Sequence, residues 1–279
     1  MPALLFLWPL MNLKSMANSI YAKNNEQYVS DVYPSAGRFG RRFFTAVMGA
    51  WLALFLCSLS LSAQAADGDA APRAQASRAY NPVYPYEALI AGRSGWAEIS
   101  CTIDSAGRAT FLRIVGASDP AFGSAFQADL EAVEFSPPRK NGRAVMSQLT
   151  ERFNFPAHPA LDAVAKEVLA ELRKPEPAIL SVDQLDKKPE SIRQPRPAYP
   201  WVQRSDGASG QAEIEFIIDR NGRPLFPRIV SATQGDFGWA AVTGVLRWRY
   251  QPPVKNGEKV DARIKVTVTF DINKSADMW

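Results

Sequence analysis

Few residues of this chain could make or break bonds, and they stand apart from one another. Its 279 residues hold one histidine, His158, and two cysteines, Cys57 and Cys101. A thiol becomes a nucleophile beside a base or a cation, and Cys101 with His158 is the one pair that folding could bring into such a dyad. His158 has no neighbouring cysteine or second histidine, so the spacing of a metal site is missing, and no cofactor is expected. The sequence carries no Gly-rich phosphate loop and no Gly-x-Ser-x-Gly elbow. Asp104 and Asp219 invite a paired-carboxylate reading, but each sits at the same place in a repeated motif, which makes both of them turn residues. The expectation is a protein that binds rather than catalyses.

That repeat organises the chain. Tyr84-Pro85 recurs as Tyr199-Pro200, Asp104-x-x-Gly107 as Asp219-x-x-Gly222, and Pro137-Pro138-x-Lys140-Asn141-Gly142 as Pro252-Pro253-x-Lys255-Asn256-Gly257. One offset of 115 residues relates every pair, and Tyr84–Phe155 aligns with Tyr199–Phe270 without a gap at about one-third identity. A period this long means two copies of a small domain, not a solenoid. The expected division is a leader over residues 1–65, a small, polar and disordered spacer over 66–79, copy one over 80–157, a connecting helix and linker over 158–180, and copy two over 181–279.

Composition is that of a globular protein, 47% apolar with a formal net charge of +4. Lys14, Lys23, Arg38, Arg41 and Arg42, set against Glu26 and Asp31, supply most of that charge before residue 65. The remainder is nearly neutral and lacks the basic face that neutralises phosphates, so no nucleic-acid partner is expected.

Arg41-Arg42 leads into the apolar run Phe43–Leu61, and Ser62-Ala63-Gln64-Ala65 closes it with a small-x-small pattern. These are the parts of a secretory signal, with cleavage expected after Ala65 and the product in the periplasm. The alternative is an uncleaved inner-membrane anchor facing the periplasm, since the run is about as long as a short membrane span. Met11 and Met16 are alternative initiators. Leu54-Phe55-Leu56 lacks the small residue a lipidated cysteine needs before it, so Cys57 is expected to stay unmodified. Cleavage would leave Cys101 without a disulfide partner.

In copy two, Ala212, Ile214, Phe216 and Ile218 alternate with Gln211, Glu213, Glu215 and Ile217, the pattern of a half-buried strand. Asp219–Gly222 is a hairpin turn. Phe226–Ala232 returns, and Pro227, which cannot donate to a ladder, assigns that strand to a sheet edge. Val242, Val245, Leu246 and Trp248 share one side of a helix over 237–248, which Pro252-Pro253 ends. The last strand alternates Ala262, Ile264, Val266, Val268 and Phe270 with Arg263, Lys265, Thr267 and Thr269. Copy one follows suit, with Cys101 replacing Phe216 as a small buried hydrophobe. The fold class is therefore α+β: two small domains in tandem, each a three-stranded antiparallel sheet covered by a helix. Between them Leu161, Val164, Ala165, Val168, Leu169 and Leu172 form the stripe of an amphipathic helix, expected to pack on a domain or between the two, with a free partner-binding helix as the alternative. Residues 175–197 form a semi-extended connector.

On these motifs each copy resembles the C-terminal domain of TonB, the periplasmic energy transducer of Gram-negative bacteria. Copy two carries Tyr199-Pro200, Gly210, Asp219-x-x-Gly222, Arg247-Trp248-Arg249-Tyr250-x-Pro252 and a closing strand ending at Phe270. It is approached through Leu185-Asp186-Lys187-Lys188-Pro189 and Gln194-Pro195-Arg196-Pro197. Copy one keeps Tyr84-Pro85, Gly95, Asp104-x-x-Gly107, Pro137 and Asn141-Gly142, but has Val133 where copy two has Trp248.

The resemblance implies a binding role related to energy transduction for transmembrane transport. A domain of this family captures an extended segment of an outer-membrane TonB-dependent receptor, or of another envelope protein, by adding it to a free sheet edge. Main-chain groups then supply affinity and side-chain pockets supply selection. The implied edge residues are Arg263, Lys265, Thr267 and Thr269 in copy two and Gln148, Thr150 and Arg152 in copy one, with Gln194 and Arg196 flanking the groove. The plainer reading of the same residues is that they keep an edge soluble. The leader has no histidine to engage a proton-driven motor, and Ala66–Asn81 is too short to cross a periplasm, so direct motor coupling is not implied. The alternative is an envelope scaffold without energy transduction, its copies packed edge to edge, binding cell wall or a protein partner. Membrane contact is expected only through an uncleaved leader.

Overall fold

Residues 73–275 are described by the structure, a computed structural model. The leader features named above, Met11, Met16, Arg41-Arg42, Cys57 and the cleavage point at Ala65, lie outside the described residues.

Copy one runs β1 (Gln75–Ala76), α1 (Tyr86–Ile90), β2 (Gly95–Ile103), β3 (Ala109–Ala117), α2 (Pro120–Glu131), β4 (Phe135–Ser136), β5 (Arg139–Lys140), β6 (Arg143–Ala144) and β7 (Ser147–Phe155). The connecting helix α3 (Ala163–Leu172) leads to β8 (Leu180–Ser181) and β9 (Ser191–Arg193). Copy two then repeats the order as α4 (Trp201–Ser205), β10 (Gly210–Ile218), β11 (Pro224–Ala232), α5 (Gly235–Val245), β12 (Arg249–Tyr250), β13 (Val254–Lys255), β14 (Glu258–Lys259) and β15 (Ala262–Phe270), with a last turn α6 (Ile272–Ser275). No helix among the described residues is long and apolar enough to cross a membrane.

The alternating strands behave as their patterns require. Ala97, Ile99, Cys101 and Ile103 point inward at no more than 1% exposure, as do Ala212, Ile214, Phe216 and Ile218 in copy two. Each first strand is central in its sheet, with order β3-β2-β7 in copy one and β11-β10-β15-β8 in copy two. Pro227 thus lies in an edge strand. The hairpin turns are built alike. The Asp219 carboxylate accepts from the backbone N–H of Asn221 at 2.9 Å and of Arg223 at 2.8 Å. Gly222 sits at φ +77°, and a Cβ there would drive into the carbonyl oxygen of Tyr250. Only glycine permits both the dihedral and that approach.

Each helix covers the inward face of its sheet. Pro120 starts α2, and the Asp119 side chain accepts from the Ala121 N–H at 2.9 Å, satisfying one free amide of the first turn. Phe122, Phe126 and Leu130 then enter the core. In copy two the helix ends at Val245, short of Trp248. Arg247 and Trp248 bond back to Gly244 and Val245, a tighter turn that swings Arg249–Tyr250 into pairing with β9. Trp248 is still buried, its indole N–H donating to the Pro195 carbonyl at 2.9 Å, and Tyr250 is buried with it.

The repeat extends further back than its sequence motifs. Gln75–Ala76 pairs with β4 as Ser191–Arg193 pairs with β12. This corrects the expectation of a disordered spacer throughout 66–79. The cause is Asp129 on α2, 1% exposed, which takes hydrogen bonds from the Arg78 guanidinium at 2.7 Å and the Asn81 N–H at 2.8 Å. A buried carboxylate needs such partners, and they tie the lead-in segment down.

The connecting helix packs on the outer face of copy two's sheet. Val168 and Leu172 meet Ile217, with Leu225, Phe226, Tyr86 and Ile90 around them. Asp162 caps the helix, accepting from the Ala165 N–H at 2.9 Å, and binds Arg223 as well. Past the helix end, the Arg173 guanidinium donates to the carbonyls of Leu89 at 2.7 Å and Ile90 at 3.1 Å, satisfying the last turn of α1.

The copies meet through their helices, not through their terminal strands, which corrects the edge-to-edge packing of the scaffold expectation. α2 lies against α5, and Trp239 packs on both cores. Each short lead-in helix crosses to the other copy's return strand, α1 to β11 and α4 to β3. Phe111 and Phe226, both at φ 50°, occupy the left-handed region at equivalent bulges. That conformation is unusual for an aromatic residue. It turns Phe111 onto Trp201 of α4, ring centroids 4.5 Å apart, and Phe226 into the cluster with Tyr86 of α1.

Candidate functional site

An edge strand offers unpaired backbone amides and carbonyls to an incoming chain. In copy one β7 is hydrogen-bonded on one side only, to β2 in register from Gly95 opposite Phe155 to Ile103 opposite Ser147. Among the described residues no strand pairs with its outer edge. In copy two β15 pairs with β10 in the same way, but its outer edge already holds a partner at one end. Leu180 lies opposite Ala262 and Ser181 opposite Arg263, in parallel. A capping interaction then bends the linker away, the Gln184 side-chain oxygen accepting from the Ser181 N–H at 2.8 Å. From Ile264 onward no strand among the described residues pairs with that edge. The linker is held in place further along as well. The Asp186 carboxylate accepts from the N–H of Gly257 at 3.1 Å, and the amides of Asn256 and Gly257 hold its carboxyl below the usual range.

The sequence-derived side chains divide between the two sheets. Lys265, Thr267 and Thr269 project from the outer face of β15 and are exposed. Arg263 sits beneath the linker strap with its guanidinium 3.8 Å from Glu215. Gln194 donates to the Tyr250 hydroxyl at 2.8 Å, so its amide braces the core-side wall. Arg196 donates to the Lys274 carbonyl at 3.1 Å, at the far end of β15. Pro197, between them and Tyr199, lies so close to α5 that a Cβ on Gly244 would come within 2.6 Å of its ring. The segment 194–198 therefore lies on the helix side of copy two, against Trp248, Tyr250 and Gly244, and reaches α6 through Arg196. In copy one, Gln148 donates to the Thr102 hydroxyl at 2.9 Å, and Arg152 stacks over Trp96 at 3.8 Å with Glu98 at 3.7 Å. Thr150 is exposed. These three belong to a separate edge. Cys101 is buried in copy one's core, its thiol pushed by burial, and then by Glu151, up to about 11. His158 is exposed.

Two features escape sequence reading. One is the strap at Leu180–Ser181. The other is a cleft of about 400 Å³ at the far end of β15, lined by Thr269 and Phe270 together with residues of both copies. Copy one contributes Arg108 and Glu131 to its walls, and copy two Arg196, Arg204, Arg247 and Lys274. The Glu131 carboxylate accepts from the Trp201 N–H at 3.2 Å, bridging the copies. Burial pushes its carboxyl up to about 7, with Asp236 adding to the effect. Burial, and then Arg108, hold the Arg204 guanidinium below its ordinary value. Such a cleft suits anionic groups, because cations already crowd it.

The family comparison finds one domain in both halves. The family described as Gram-negative bacterial TonB protein C-terminal matches residues 80–156 and 195–272. Among solved structures, the solution structure of the Pseudomonas aeruginosa TonB C-terminal domain aligns at 22% identity and a TM-score of 0.27, over 31% of this chain and 88% of that one. The TonB2 protein of Vibrio anguillarum aligns at 26% identity and a TM-score of 0.25, over 44% of this chain and 94% of that one. A search of curated proteins returned no match.

Proposed function

Because the chain belongs to the family of Gram-negative bacterial TonB C-terminal domains, carrying that domain twice, we propose that it is a periplasmic adaptor that takes up extended segments of outer-membrane receptors or other envelope proteins as added strands. One observation carries this reading. The outer edge of β15 already accepts a strand, Leu180–Ser181, in parallel pairing, and the rest of that edge is unpaired among the described residues. Backbone pairing supplies most of the affinity in such complexes, with alternate side chains selecting the segment. β7 offers the same geometry without a strap.

The test is a titration of the isotope-labelled full chain with peptides from candidate receptor plugs. Amide shifts confined to Ile264–Phe270 and Ser147–Phe155 are expected. If both stretches stay unshifted with peptide in excess, the reading fails.

A further inference from the structure

We infer that the cleft between the copies receives carboxylate side chains that follow a strand captured on β15, so that the ligand class is an extended segment with acidic residues on its C-terminal side. This rests on the strand-capture reading and adds direction and chemistry to it.

Direction comes from the strap. β8 runs parallel to β15, Leu180 opposite Ala262 and Ser181 opposite Arg263. A segment that takes the same orientation further along advances from Ile264 toward Thr269, about one residue per residue. Thr269 and Phe270 line the cleft, so residues following the captured strand enter it.

Chemistry comes from the walls. Arg108, Arg196, Arg204, Arg247 and Lys274 line the cleft against Glu131, Glu134 and Asp271. Some of these charges are already matched. Lys274 lies 3.6 Å from Asp271, and Arg108 pairs with Asp104 at 3.0 Å. The cations still outnumber the anions along the lining, and the Glu131 carboxylate is turned to the Trp201 N–H. A field of this sign in a partly enclosed space attracts carboxylates and sets orientation.

The repeat provides an internal control. At the positions of Arg196, Arg204, Arg247 and Lys274, copy one has Asn81, Leu89, Ala132 and Pro159. The end of β7 lacks that basic set, so preference for acidic followers belongs to copy two alone. Arg108 reaches the cleft from copy one, which gives the tandem arrangement a role in a site that a single domain would leave incomplete.

The experiment uses the full chain and three fluorescein-labelled peptides, each with about six alternating Thr and Val residues. One is followed by two Glu, one is followed by two Gln, and one is preceded by two Glu. The Glu-tailed peptide is expected to bind about tenfold tighter than the Gln-tailed one at low salt, with the gap closing as salt screens it. Amide shifts should place the gap at β15 and not at β7. In the double variant Arg247→Gln/Lys274→Gln the ratio of the two affinities should fall toward one. Equal affinities with shifts along β15 would overturn the cleft inference and leave strand capture standing. Tighter binding of the peptide that begins with Glu would overturn the parallel direction. If no peptide shifts either strand, strand capture fails and this inference falls with it.

Discussion

The two copies share a topology and differ in what is laid on them. Copy two's sheet is covered on both faces at its turn end. α5 fills the inner face, and α3 lies over Ile217 on the outer one, leaving it 3% exposed. At the same repeat position copy one has Thr102, whose hydroxyl takes a hydrogen bond from Gln148 on an open polar face. Copy two also has the larger inner aromatics, Phe216, Trp248 and Tyr250, where copy one has Cys101, Val133 and Phe135. The linker straps copy two's edge and leaves copy one's bare. One fold has thus been used as an anchored core and as a more open module, and single residues decide which.

Ile217→Asp should break the comparison most sharply. It buries a carboxylate against Val168 and Leu172, where the cross-strand Arg263 is already drawn toward Glu215, a cost of about 3 kcal/mol. Thr102→Asp, on the open face of copy one, should cost less than about 1 kcal/mol. Urea denaturation of both variants checks the pair, and equal losses would mean that α3 does not bury the outer face of copy two. Trp248→Val, which gives copy two the residue of copy one, should cost about 2–4 kcal/mol through the cavity left beside Phe216 and Tyr250. Its loss of the indole bond to Pro195 should also loosen the segment 194–198, visible as faster amide exchange there.

The strands were legible because burial on one face imposes period two, and the hairpin turns because Asp219 and Gly222 have few other uses in that spacing. Ile217, apolar within an outward polar set, is the one signal in the strand for a covering helix. The lead-in helices α1 and α4 have five residues each, too short to show a period. Gln75–Ala76 reads as spacer because its order depends on Asp129, far along the chain. The strap is two residues long and has no sequence signature. The cleft draws on Arg108, Glu131, Arg196, Arg247 and Lys274, which only the packing of the copies brings together, so no local pattern could mark it.

Glu131 sharpens the comparison through pH. Its repeat counterpart is Leu246, so the titration belongs to copy one alone. Burial raises its carboxyl from 4.5 to about 7 in the folded chain. Between those values the folded chain holds a proton that the unfolded chain has released. Its contribution to stability is therefore full below about 4.5, falls as pH rises through that window, and is gone above about 7. Glu131→Gln should flatten this part of the profile of melting temperature against pH. A profile that keeps its slope in the variant would assign the effect to another group.

The smallest expected effect concerns the strap. The Leu180–Ser181 strand occupies only the Ala262–Arg263 end of copy two's edge, so it competes with a captured segment for the first pairs and leaves the rest free. Leu180→Pro removes one amide and disfavours the extended approach at this point, and the strap should detach without disturbing the core, since Leu180 is only half-buried. One or two backbone hydrogen bonds are at stake, worth about 1 kcal/mol net, so peptide affinity at β15 should rise about three- to fivefold. β7 has no strap to lose, and its affinity should not move. Amide shifts followed separately in the two strands of one sample measure both responses. A rise at both edges would trace the gain to general loosening of the chain, and a fall at β15 would show that the strap helps to form the groove that it borders.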